Sequence, residues 1–102
     1  MRPKPDSNVD VVTAARRWRD RIMRTCDVPR AADMSVEIFA SMREEDDATA
    51  ADSMFALAMT AAVLASESPP GERQAVAAAI GLLILECLPH ATECLAQSPV
   101  LQ

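Results

Sequence analysis

Residues 75–88 read AVAAAIGLLILECL, and this run decides the fold. Alanine and leucine favour helix, whereas strands are built from β-branched and aromatic residues. The run contains one carboxylate, Glu86, and one glycine, Gly81. A helix made from it is apolar on nearly every face, and such a helix must be covered on all sides. Its length, about 14 residues, falls short of the roughly 20 that cross a bilayer. The sequence therefore predicts a core helix of an all-helical protein, with no membrane partner.

The flanks mark where that helix starts and stops. Upstream, Ser66-Glu67-Ser68-Pro69-Pro70-Gly71 is a break, and proline is tolerated at a helix start, so the helix begins at about Pro70 or Gly71. Downstream, Pro89 kinks or ends it near Leu88, and residues 90–97 add a short last helix. Further upstream, residues 53–65 are again apolar almost all round, and the S/T-x-x-D pattern of Thr49 to Asp52 sets a helix start there. That helix is expected over about 49–66. Met34, Ile38 and Met42, with Phe39 beside them, form the stripe of another helix over about 31–43. Glu44-Glu45-Asp46-Asp47 interrupts the pattern between the two; a single helix through this run is the alternative, since glutamate and alanine are good helix formers.

The first helix is the amphipathic one. Val11, Ala15, Trp18, Ile22 and Cys26 recur at spacings of three and four, and Ser7 to Asp10 fits a capping box at its start. Asp27-Val28-Pro29 ends it, because the residue before proline avoids the α region. Residues 1–6 read as a disordered tail, 7–97 as one helical domain and 98–102 as a second tail. The fold class is an all-α bundle of four or five helices. Two helices apolar on every face are more than the other helices of a 102-residue chain can shield, so a homodimer is expected. Met54, Leu57, Ala58, Leu82 and Leu85 are the candidate dimer or partner interface; Met34, Met42, Met54 and Met59 are expected to give the core adaptable packing, which would also suit a surface that repacks around a partner.

Charge is divided unevenly along the chain. Residues 1–30 hold eight bases and four acids, a net +4; residues 31–102 hold two bases and eleven acids, a net −9. Arg17, Arg21 and Arg24 fall on one side of the first helix, and the turn spacing places them opposite the Trp18 stripe. Such a face reads as an ordinary solvated or internally paired face, or as a docking face for an acidic protein surface; nucleic acid is the further alternative, weakened by the acidic whole and by the lack of a helix-turn-helix glycine turn. Glu86 must reach solvent or pair with a base of the first helix.

Little else carries chemistry. Cys87-x2-His90-x3-Cys94 brings three metal-ligand types close, but a straight helix separates Cys87 from Cys94 by roughly 10 Å along its axis, too far to share one ion or a disulfide. His90 is the only histidine and has no nucleophile or carboxylate constellation around it in sequence, so no enzyme activity, no cofactor and no metal are expected. Three cysteines without a CxxC, and a basic start without an apolar h-region, point to the cytoplasm. In size, helicity and absence of catalytic residues the chain resembles the small bacterial anti-activators that sequester quorum-sensing transcription factors; small helical chaperones for secreted proteins look alike. The resemblance implies a non-enzymatic protein-binding regulator whose partner is a transcription factor. It transfers no site residue.

Overall fold

The starts of the second, third and fourth helices are each set by a local side-chain contact or a proline. Asp27 caps the second helix by accepting from the Arg30 amide at 3.1 Å, and Pro29 sits in its first turn, where a missing N–H costs nothing. Asp27-Val28-Pro29 thus ends one helix and starts the next three residues earlier than the stripe alone predicts. Thr49 and Asp52 form a reciprocal capping box: the Asp52 amide donates to Thr49 Oγ1 at 3.1 Å, and the Thr49 amide donates to the Asp52 carboxylate at 2.9 Å.

The computed structural model describes residues 7–97, with the side chains of 7–9, 92 and 94–97 outside the description. The expected tails, 1–6 and 98–102, lie outside the described residues. Four α-helices follow in order: α1 Ser7–Thr25, α2 Val28–Arg43, α3 Ala50–Ser66 and α4 Arg73–Gln97, with a 3-10 turn at Pro70–Glu72 before α4. No strand occurs among the described residues, so the chain is all-α. The acidic run at 44–47 is a turn, which settles α2 and α3 as two helices.

Pro89 lies inside α4, which continues to Gln97, so of the two alternatives at this proline the helix does not end there, and the described residues form four α-helices rather than five. Proline in a helix interior costs about 3 kcal/mol or more through its missing N–H and its ring, and the apolar turns before it hold the helix together regardless. By length and composition, Pro70–Ala91 is also long and apolar enough to cross a membrane, a longer stretch than the 75–88 run.

α1 packs along α4, and α3 meets α4 far less extensively. The buried side chains are all small: Ala15 of α1, Ala65 of α3, and Ala75, Val76 and Ala79 of α4. α3 is buried only in its last turn, at Ala65, and α2 buries no residue. The result is elongated, 55 × 30 × 22 Å, with a radius of gyration of 16.1 Å against about 13 Å for a compact domain of this length.

A two-point ion pair fixes α1 on α4. Arg19 Nε donates to Glu86 Oε2 at 2.7 Å and Arg19 Nη2 donates to Glu86 Oε1, while Arg19 Nη1 also reaches Asp20 at 2.9 Å. Glu86 therefore does both things open to it, staying partly exposed and pairing with the first helix. The hydrogen bonds from Arg19 hold its carboxyl below the usual range. A carboxyl whose folded pKa is lowered contributes stability that is present above the unfolded value, near 4.3, and lost as pH falls through the folded value. Glu86→Gln should lower the melting temperature at neutral pH, and the gap to the parent should close as pH falls below about 4, as read by thermal melts across a pH series. Independently, Thr49→Ala should cost about 1 kcal/mol in urea unfolding by removing the α3 cap.

Candidate functional site

The flank of α1 beside its buried stripe opens a cleft against the turn before α4. Ala14, Arg17, Trp18, Arg21 and Arg24 of α1 and Glu72 of the 3-10 turn line it, enclosing about 330 Å³. The half-buried Trp18 forms its floor, and its indole Nε1 donates to Glu72 Oε1 at 3.3 Å. The Arg21 guanidinium carbon lies 4.8 Å from the Trp18 ring centroid, a cation–π distance.

This arrangement corrects the expectation that Arg17, Arg21 and Arg24 stand opposite Trp18. Residues three apart are neighbours on a helix surface, so Arg21 lies over the ring of Trp18 rather than behind it. Trp18 is accordingly shared between the helix packing and the cleft. Arg17 and Arg24 form no ion pair with a carboxylate among the described residues. The Glu72 carboxylate at the rim is engaged by the indole.

The cleft contains no hydroxyl or thiol nucleophile and no histidine. What three guanidiniums lining one cleft, one of them over an aromatic ring, can do is bind: they present N–H donors to carboxylate or phosphate oxygens, and the ring supplies apolar area beside them.

The other predicted site residues lie elsewhere. Met54, Leu57 and Ala58 are exposed on α3. Leu82 and Leu85 border a second, shallower cleft on α4 together with Arg16, Arg19, Asp20 and Glu86. Leu82 is half-buried there, whereas Leu85 is exposed. Cys26 and Cys87 are free thiols; the Cys94 side chain lies outside the described residues. Among the described residues no group of three metal-ligand side chains comes together.

Two features escaped the sequence reading. Glu72 is one acid in a proline-rich turn, and only the packing of α1 on α4 brings it to Trp18. The free side of α4, marked by Ile84 and Leu88, is legible as a 4-3-4 spacing from Ala77 through Gly81 but was masked by the apolar residues on every other side.

Comparison with known proteins adds no relative: no family model, no curated protein and no solved structure matches the chain.

Since Trp18 is only half-buried, Trp18→Ala should cost about 2 kcal/mol in urea unfolding, below the 3–5 typical of a fully buried tryptophan. Trp18→Phe, which keeps the ring but removes the Nε1 donor, should cost about 1 kcal/mol.

Proposed function

We propose that this protein is a non-enzymatic regulator that sequesters a partner protein by docking an acidic segment of it in the α1 cleft. The observation that carries this reading is the grouping of Arg17, Arg21 and Arg24 around Trp18, with Arg17 and Arg24 lacking a carboxylate partner among the described residues. Charged donors of this kind raise association rates and fix orientation, while the aromatic ring adds contact area that a purely ionic site lacks. A transcription factor is the partner type that the likeness to quorum-sensing anti-activators brings to the proposal. The absence of reactive groups from the cleft supports a binding role over an enzymatic one. The free thiols Cys26 and Cys87 support a reducing, cytoplasmic setting.

Nucleic acid is the second reading, because the same guanidiniums would take phosphates. Two facts weigh against it. Residues 31–102 are net −9, and a carboxylate, Glu72, stands on the rim of the cleft. A phosphate backbone approaching α1 would meet both.

Trp18 is the only tryptophan of the chain, so its fluorescence reports on the cleft directly. Titration with a short Glu- and Leu-rich amphipathic peptide should shift the Trp18 emission, and alanine at Arg17, Arg21 and Arg24 together should weaken binding at least about tenfold. Random-sequence duplex DNA should bind weakly at physiological salt. Tight DNA binding lost in the triple variant, with no response to the peptide, would replace the proposal with the nucleic-acid reading.

A further inference from the structure

The core is small. Among the described residues no large side chain is fully buried, and the buried set is four alanines and one valine. Leu, Ile, Phe and Met side chains stand exposed along α3 and the second half of α4, with Met54 69% and Ile84 63% accessible. The chain exposes 8425 Å² at a mass of 11.0 kDa. A compact monomer of that mass exposes about 5,600 Å². Counting the terminal residues outside the described part as fully exposed still leaves roughly 1,500 Å² of excess per copy. Doubled, this is about 3,000 Å², inside the range of obligate homodimer interfaces.

The exposed faces are patterned. On α3, Met54, Leu57, Ala61 and Leu64 follow a 3-4-3 spacing, the seam of one helix against another. On α4, Ala77, Gly81, Ile84 and Leu88 follow a 4-3-4 spacing on the side turned away from the buried Ala75, Val76 and Ala79. A Cβ added at Gly81 would meet nothing within 4 Å in this chain, so no contact inside the chain accounts for a glycine in mid-helix. The close approach of a helix from outside would account for it.

We propose that the α3 and α4 seams are covered by the same seams of a second copy, forming a four-helix dimer core. The area argues for it, and so does charge. Residues 53–66 and 74–85 carry no charged side chain, so pairing them across two copies strands no ion. The cover must also be present whenever the chain folds, because too little is buried without it, and a second copy meets that condition. A lipid surface is the competing cover, given the length of Pro70–Ala91. It is disfavoured because α1 packs along α4 and would bring Arg16, Arg17, Arg21 and Arg24 into the bilayer with it.

Sedimentation at micromolar concentration should give a particle of about 22 kDa, twice the 11.0 kDa chain, and its melting temperature should rise with concentration. A Cβ at position 81 has room within the chain, and the larger side chain of Gly81→Leu should block the close approach and raise the dimer dissociation constant about tenfold or more. If Gly81→Leu loses helicity, raising its concentration should restore it by mass action; failure to recover would show that the glycine serves the chain's own fold, overturning the assignment. An 11.0 kDa particle with a concentration-independent melting temperature, or a monomer that partitions onto phosphatidylcholine vesicles, would also overturn it, as would an unchanged dissociation constant in Gly81→Leu.

Discussion

α4 is apolar on more sides than one neighbouring helix can cover, and the rest of the molecule is arranged around that constraint. α1 covers one side, and small residues at Ala15, Ala75 and Ala79 let the two backbones approach closely. Close approach of small residues yields little transfer energy, since an alanine buries only a methyl group. Orientation therefore depends on a polar contact, the two-point Arg19–Glu86 pair, which lies at the surface beside the seam. An exposed pair adds little free energy. Its use is geometric: a fork of two parallel hydrogen bonds fixes the rotation and the slide of α1 against α4.

That fixed rotation decides what the remaining arginines do. With Arg19 turned toward α4, Arg17, Arg21 and Arg24 are carried to the other flank of α1, above Trp18 and the turn holding Glu72. The five arginines between residues 16 and 24 are thus not one basic face. One is structural, Arg16 borders the shallow cleft at Leu82 and Leu85, and three gather around an aromatic ring. The acidic remainder of the chain sends only Glu72 and Glu86 to α1, which leaves Arg17 and Arg24 without a carboxylate partner among the described residues.

The start of α3 is legible because its cause is local: the Thr49–Asp52 box needs only residues within one turn, so sequence spacing contains it. The Asp27 cap is equally local, but Asp27-Val28-Pro29 also reads as a helix end, and that hides the start of α2. The sequence left open whether α4 passes through Pro89 or ends there, because the penalty of a proline is local while the apolar turns that oppose it are spread along the helix. The position of Trp18 was half legible. Its spacing with Ala15 and Ile22 marks a buried stripe correctly, yet a ring that wide also reaches its i+3 neighbour, and Arg21 stacks on it from there. For the cleft itself the sequence offered the three arginines but not Glu72, which arrives from a segment more than fifty residues away.

The free seam of α4 and the α1 cleft sit on different sides of the molecule, and this makes self-association compatible with regulation. α1 occupies the buried side of α4, and Ala77, Gly81, Ile84 and Leu88 point away from it. A second copy seated on that seam leaves the cleft of each copy open. The proposed dimer would then display two basic clefts related by a twofold axis, suited to a partner that is itself a symmetric dimer. Joining the two clefts in one particle makes the second docking event intramolecular, so modest affinity at each cleft sums to strong retention wherever the spacing matches. The proposed sequestration would gain in this way a slow overall release built from two weak, fast contacts.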